Sequence, residues 1–281
     1  MYILDTCAII SISRKKLESA IQNGIDLAIC PITGFELASH LIKATKDGYS
    51  RALSNFLKCR VPRLLDDSAV LWADRAGVPH SVNQSRREDR DLLAQMIEIV
   101  SETESLDELH AKHLRYPDGV LCSLVNCGEM FGEILQGEER QYVDRMTSLL
   151  GTATFFRSLN GSYAITRRVL MENLERAGRS VPASTPISRH NAIRNASAQA
   201  PYIGYVLYRL YEAKNTGRAI DGNDYEDALI CLAIDWASRD ILVTGDKGTI
   251  EALKHTAALM ERDDCVIATD EFVRQEFILM Q

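Results

Sequence analysis

The sequence lacks any apolar run near the roughly 18 residues that a membrane-spanning helix needs. No charged-then-apolar leader precedes the first strand-like segment, which begins almost at Met1, so no secretory signal is expected. The seven cysteines are scattered and form no C-x-x-C pair, a usage typical of reduced thiols. We therefore expect a cytoplasmic protein without a membrane partner.

Basic residues are not in excess either, since the net formal charge is −7 and charged residues make up 25% of the chain. That balance does not by itself indicate a nucleic-acid partner. The apolar fraction of 46% is ordinary for a globular chain, and 281 residues suffice for one large domain or two small ones. No internal repeat is visible, so the function has to be sought in local motifs.

What the sequence does contain is a set of acidic residues placed after short apolar segments. Asp5 ends the segment 2–4, and Asp246 lies just past the segment 241–243. A continuous apolar run of this length is typical of a strand that helices cover on both faces. In open α/β sheets, ligands bind at the carboxyl ends of the strands, so we expect Asp5 and Asp246 to reach one place.

Further acids lie in predicted helices. Apolar residues recur on one face of a helix that Asn223 or Asp224 would cap, with Asp227 in its first turn. Glu36 follows an apolar strand-like segment, and Thr33-x-x-Glu36 has the spacing of a capping box. Each acid thus also has an ordinary structural interpretation, as a helix cap or a turn residue.

Together these segments resemble a PIN-domain nuclease. The resemblance implies an α/β fold in which a small parallel sheet is flanked by helices, and RNA phosphodiester cleavage at an acidic site that binds Mg²⁺ or Mn²⁺. It covers roughly the segments 1–60 and 216–270, and Cys7 departs from the family, which usually has Asn there. The matching motifs are Leu4-Asp5-Thr6, Glu36 in a helix after the second strand, Asp227-Ala228-Leu229-Ile230 and Leu242-Val243-Thr244-x-Asp246.

The resemblance implies a site built from carboxylates alone. Hard divalent ions prefer carboxylate oxygens and water, and two such ions roughly 4 Å apart activate a water and stabilise charge on the phosphate. Thr6 and Thr244 are expected to hydrogen-bond a water or a carboxylate. The expected catalytic residues are Asp5, Glu36, Asp227 and Asp246, and the expected metal ligands are those four together with Asp224.

The middle of the chain is not explained by the resemblance. We interpret residues 1–61 and 216–281 as a discontinuous nuclease core, and residues 62–215, which show no clear strand alternation, as a large and mostly helical insertion. Two segments of this insertion carry opposite net charges. The segment 88–144 carries fourteen acids and four bases, a net charge of −10, whereas the segment 157–209 carries eight arginines and two acids, a net charge of +6.

The arginine-rich segment 157–209 has two interpretations. Arginine's planar fork matches phosphate oxygens, and tyrosines at 163, 202, 205 and 208 are placed to stack on unpaired bases, so the segment would track an RNA backbone. Alternatively, the segment docks against the acidic segment 88–144, so that the opposite net charges of the two segments neutralise each other. The residues expected to contact RNA are Arg167, Arg168, Arg189 and Arg194.

A second set of ligand-type residues is His110-x-x-His113 followed by Cys122 and Cys127. Zinc uses these residue types, but a structural zinc site wants tighter cysteine pairs than C-x4-C. Apolar neighbours such as Leu109 favour a core or surface role for these residues instead.

The resemblance therefore implies a metal-dependent endoribonuclease, and we expect its substrate to be tRNA or another structured RNA. Similar proteins include toxins of toxin–antitoxin systems and other stress or defence nucleases, so the resemblance also implies an inhibitory protein partner or a homo-oligomer. The alternative is a non-catalytic PIN-like module that binds RNA or protein. A phosphatase of the haloacid-dehalogenase type is disfavoured, because it needs a second Asp where this chain has Cys7.

Overall fold

The structure is a computed structural model that describes residues 1–76, 83–103, 105–116, 118–152 and 199–278. The strands in these residues are β1 (Tyr2–Leu4), β2 (Leu27–Ile29), β3 (Arg63–Leu64), β4 (His113–Arg115), β5 (Leu121–Ser123), β6 (Ile241–Thr244) and β7 (Val266–Ala268). Five of them form a parallel sheet in the order β3-β2-β1-β6-β7, and β4 pairs with β5 in a separate antiparallel hairpin.

Helices cover both faces of the sheet. They are α1 (Thr6–Ser11), α2 (Arg14–Gln22), α3 (Pro31–Ile42), α4 (Lys46–Leu57), α5 (Ser68–Ala76), α6 (Asn83–Val100), α7 (Leu106–Ala111), α8 (Leu124–Thr152), α9 (Ala200–Thr216), α10 (Gly222–Ala233), α11 (Lys247–Leu259) and α12 (Thr269–Ile278). Two short 3-10 helices cover Lys58–Arg60 and Trp236–Ser238. Of the helices that the structure describes, none combines the length and the apolar character needed to cross a bilayer.

Successive side chains of the central strands enter two different apolar cores. Leu4 and its register partner Val243 lie in the core on one face, whereas Ile3 and Leu242 lie in the core on the other. This alternation is the period-two geometry of a strand, and both faces need apolar residues because helices cover both. The prediction of an α/β fold with a small parallel sheet flanked by helices is confirmed.

Residues 62–152 pack on this sheet in part rather than standing apart from it. β3 lies inside the range interpreted as an insertion, yet it pairs with β2. Leu93 of α6 and Phe131 of α8 belong to the same apolar core as side chains of α3, and a Cβ on Gly128 of α8 would lie 1.5 Å from Ile42 Cδ1. The described part of the range 62–215 is mostly helical but also contains β3, β4 and β5. Strands of two or three residues are too short to show alternation in the sequence.

The connections of the sheet diverge between β1 and β6. From β1 the chain adds β2 and then β3 on one side, whereas β6 pairs with the other side of β1 and is followed outward by β7. At such a switch point, the loops that follow the two strands leave in opposite directions and open a crevice at the carboxyl ends. The segments after Leu4 and Thr244 therefore meet at this crevice.

Candidate functional site

Two acids reach the crevice directly from the strands. Asp5 follows β1 and caps α1, since its Oδ1 accepts a hydrogen bond of 2.7 Å from the backbone N–H of Ala8. Asp246 lies two residues beyond β6 and caps α11, since its Oδ1 accepts a hydrogen bond of 2.6 Å from the backbone N–H of Thr249. Because β1 and β6 are paired in parallel, the two caps lie side by side.

Two more acids reach the same place from helices. Glu36 is the sixth residue of α3 and Asp227 is the sixth residue of α10, so each lies in the second turn of its helix. The predicted first-turn position of Asp227 is wrong, because Asp221 caps α10 through the backbone N–H of Asp224. The capping-box interpretation of Glu36 is also wrong, because α3 starts at Pro31 and its cap makes no side-chain hydrogen bond.

Hydrogen bonds place the four acids in one region. Thr244 contacts both Asp5 and the backbone N–H of Asp246, Thr249 contacts both Asp227 and Asp246, and Thr6, next to Asp5, donates to Glu36. Although the Cys7 side chain is exposed, partial desolvation raises the pKa of its thiol, and the charges of the four acids raise it further, to about 12. The four acids that act on Cys7 are Asp5, Glu36, Asp227 and Asp246. The structure therefore brings together the four residues predicted as catalytic, in one acidic cluster around Cys7.

Three threonine hydroxyls hold these carboxylates. Thr244 donates to Asp5 Oδ2 and Thr6 donates to Glu36 Oε2, so both threonines contact carboxylates. Thr249 joins two acids, since its hydroxyl donates to Asp227 Oδ2 at 3.1 Å and its backbone N–H donates to Asp246. Thr244 also accepts a hydrogen bond of 3.0 Å from the backbone N–H of Asp246. Each hydroxyl fixes the orientation of the carboxylate to which it donates.

Tyr205 links this acidic cluster to a buried ion pair. Its hydroxyl donates to Asp227 Oδ2 at 3.1 Å and lies 3.4 Å from Asp224 Oδ1. Arg209 is 1% exposed and holds both oxygens of Asp224, through Nε at 2.5 Å and Nη2 at 2.9 Å. Asp224 was predicted as a fifth metal ligand. Both of its oxygens instead accept hydrogen bonds from Arg209, and Oδ2 also accepts from the backbone N–H of Asp221 at the start of α10.

Burial and mutual repulsion weaken the acidity of the cluster. Burial first, and then the charges of Glu36 and Asp246, raise the pKa of Asp5 to about 6. Burial, followed by the charge of Asp246, raises the pKa of Asp227 from 3.8 to about 7. Burial likewise raises the pKa of Glu36. Carboxylates in this state gain from a cation that neutralises them.

Two further acids, which were not predicted from the sequence, lie at the edge of the cluster. Glu226 of α10 and Glu139 of α8 line a cavity of about 240 Å³ together with Glu36. Burial, reinforced first by the charge of Glu36, raises the pKa of Glu226 to about 8. Glu226 could have been predicted from the sequence, because it is next to Asp227. Glu139 could not, because it reaches the cluster only through the packing of α8 against α3 and α10.

The other predicted contacts fall elsewhere. Arg167, Arg168, Arg189 and Arg194 lie outside the described residues, so their prediction as RNA contacts stays a prediction. Within the described part of the arginine-rich segment, both Arg209 and Tyr205 are buried and cannot face RNA.

The histidine and cysteine set has local structural roles. His113 lies in β4 with Nδ1 3.0 Å from the carbonyl oxygen of Ala111, and Cys122 lies opposite Leu114 in the paired strand. Cys127 is buried. All seven cysteines of the chain are free thiols.

The oxygen-only donor set of the acidic cluster fits Mg²⁺ or Mn²⁺ in its chemistry. As the side chains stand, however, no group of three or more His, Cys, Asp or Glu residues among those described is disposed to hold a metal ion. Binding a cation would therefore require the carboxylates of the cluster to converge. Comparison of the chain with protein-family models, with curated proteins and with solved structures finds no match.

Proposed function

We propose that this chain is a metal-dependent endoribonuclease of the PIN type, with its active site in the acidic cluster. The observation that carries the proposal is that Asp5, Glu36, Asp227 and Asp246 lie near one another at the β1–β6 crevice. The hydroxyls of Thr6, Thr244 and Thr249 hold three of them, and the backbone N–H of Thr249 holds Asp246. Four buried or half-buried acids in one region are costly for a fold. Such an arrangement is expected where a divalent cation is to be held.

The ligand set in this proposal is the acidic cluster without Asp224, whose oxygens are held by Arg209. Divalent ions bound there would lower the pKa of a water and stabilise charge on the phosphate during in-line attack, which needs no covalent enzyme intermediate.

The protein's own contribution is to orient the oxygens. The hydroxyls of Thr249 and Tyr205 both donate to Oδ2 of Asp227, and Thr6 donates to Oε2 of Glu36. The opposite oxygens, Oδ1 and Oε1, are then the ones presented for a ligand. Since burial and repulsion raise the pKa of Asp227 to about 7, binding a cation there displaces a proton, and we expect activity to rise through neutral pH.

The second candidate is the non-catalytic PIN-like module that binds RNA or protein. It is favoured by the fact that, in the described part of the chain, no three ligand-type side chains are disposed around a common point. In that case the hydroxyls that contact the acids would serve only to stabilise them in the folded state.

Manganese-dependent RNA cleavage separates the two candidates. The comparison uses the wild type and Asp227→Asn, with Asp263→Asn as a matched control. Asp263 is exposed and precedes β7, at the amino ends of the strands and away from the carboxyl ends where the acids lie. We expect Mn²⁺-dependent cleavage that Asp227→Asn abolishes and Asp263→Asn retains. Equal activity of all three proteins would refute the nuclease proposal.

The biological role proposed with this activity is that of a toxin or a stress or defence nuclease in the cytoplasm. Induced expression should then arrest growth in wild type and not in Asp227→Asn. Sequencing the RNA ends formed shortly after induction identifies the substrate, for which tRNA is the first candidate. An inhibitory partner or a homo-oligomer, if present, would be recovered with the wild-type chain under non-denaturing purification.

A further inference from the structure

We infer that a second cavity, beside the acidic cluster, binds an unpaired nucleobase of the substrate; the inference rests on the proposed nuclease function. The cavity has a volume of about 340 Å³, within the range of roughly 300–1,000 Å³ found for small-molecule sites. It lies between α3, the start of α5, α8 and α10. Its lining includes Phe35, Asp67, Phe131, Leu135, Glu138 and Leu229.

An aromatic pair forms one wall of this base cavity. The rings of Phe35 and Phe131 have centroids 4.7 Å apart and planes inclined by 35°. Phe131 is 5% exposed and anchors the pair in the core, whereas Phe35 is half-buried and lines the cavity. Unpaired bases of single-stranded RNA stack on aromatic faces of this kind. Leu229 adds an apolar surface that suits the face of a base.

The base cavity is adjacent to the acidic cluster. Leu135 lines both this cavity and the cavity that contains Glu36 and Glu226. Phe35 directly precedes Glu36 in α3, and Leu229 follows Glu226 by three residues in α10, a rise of about 4.5 Å along the helix. A nucleotide whose phosphate lies at the acidic cluster is thus within reach of the base cavity.

The polar groups of the cavity favour a base over a phosphate. Glu138 lines it, and the hydroxyl of Tyr225 donates to Glu138 Oε2 at 2.6 Å, which fixes that carboxylate. Asp67 also lines it, with its Oδ1 accepting from the backbone N–H of Ala69 at 2.8 Å. Carboxylates repel phosphate but accept hydrogen bonds from exocyclic amino groups. We therefore expect adenine, guanine or cytosine to bind better than uracil.

The test uses uncharged nucleosides and no divalent ion, so that binding is measured apart from catalysis. Adenosine, guanosine, cytidine and uridine are titrated into the chain in EDTA, and the methyl resonances of Ile32, Leu135 and Leu229 are followed by NMR. Saturable shifts with the three amino-bearing nucleosides, and weaker binding of uridine, are expected. Phe35→Leu should weaken binding by about tenfold, the size of one lost stacking contact.

The matched control is Phe277→Leu, which removes an equally half-buried ring on α12. This variant should bind the nucleosides with the same affinity as the wild type. Glu138→Gln should reduce the difference in affinity between cytidine and uridine. The inference is overturned if no nucleoside shifts these resonances, or if Phe35→Leu and Phe277→Leu bind alike.

Failure of this inference can be told from failure of the nuclease proposal. Wild-type RNA cleavage with Mn²⁺ in the absence of nucleoside binding would overturn the base cavity and leave the nuclease assignment standing. Nucleoside binding without any cleavage would support the cavity and favour the non-catalytic RNA-binding module.

Discussion

Removing one negative charge from the acidic cluster should stabilise the metal-free protein. In Asp227→Asn the amide keeps the shape of the carboxyl group, and its oxygen still accepts from Tyr205 and Thr249, which donate to Oδ2 in the wild type. What disappears is the repulsion from Asp246 and Asp5, together with the desolvation of a buried charge.

The magnitude follows from the shift in acidity of Asp227. Its pKa rises from 3.8 to about 7 on folding, and each pKa unit corresponds to about 1.36 kcal/mol, so the limiting effect is roughly 4 kcal/mol. Because Asp227 is not fully buried, solvent screening reduces this, and we expect about 2 kcal/mol.

The direction of the pKa shift of Asp227 sets the pH at which the variant and the wild type differ in stability. A carboxyl group with a raised folded-state pKa binds its proton more tightly in the folded protein, so its contribution is fully present below about pH 4. The contribution is lost as the pH rises through about 7, the folded-state value for Asp227. Asp227→Asn should therefore match the wild type near pH 4 and exceed its stability near pH 8.

Urea unfolding in EDTA at both pH values, followed by circular dichroism, measures the difference. Asp263→Asn serves as the control, since it removes an exposed charge away from the cluster. An Asp227→Asn variant that is less stable than the wild type at pH 8, or a difference that does not change with pH, would refute the reasoning. Adding Mn²⁺ at pH 8 should then stabilise the wild type more than the variant.

Four further substitutions test the contacts behind the cluster. Arg209→Met leaves the buried Asp224 with only the more distant Arg218, 4.0 Å away, as a cationic partner among the described residues. The free energy of unfolding should therefore fall by about 3 kcal/mol at pH 7, and adding Asp224→Asn should restore part of it in the same urea titration. Tyr205→Phe removes one hydrogen bond to Asp227; it should cost about 1 kcal/mol of stability and weaken the Mn²⁺-induced rise in melting temperature. Thr249→Val should also weaken the Mn²⁺-induced rise in melting temperature, while the backbone N–H of residue 249 still caps α11. If the melting temperature of both variants rises as much as that of the wild type, these hydroxyls do not orient the carboxylates for the cation.

The strands and the acids that follow them could be predicted because the signal is local. Asp5 and Asp246 each come just after a short apolar run, and parallel strands bring their carboxyl ends to one edge of a sheet. Helix starts were harder. Asp221, Asn223 and Asp224 all have capping side chains, and only the backbone geometry shows that Asp221 is the cap.

The remaining contacts of the site depend on packing between distant segments. Glu139 enters through α8, and Tyr205 enters through α9, where its spacing with other tyrosines suggested base stacking rather than burial. Its position against Asp227 follows from the way α9 packs on α10 and α11, which no local pattern encodes. Thr249 did carry a signal, because Asp246-x-x-Thr249 has the spacing of a helix cap and its third residue.

The central position of β1 has a consequence for biosynthesis. β1 is synthesised long before its sheet neighbour β6, and the hydrogen bond between Asp5 and Thr244 spans 239 positions of sequence. Until that late strand emerges, the nascent chain lacks Asp246 and the crevice between β1 and β6 is not assembled. The nuclease activity proposed above would therefore be absent until the last part of translation.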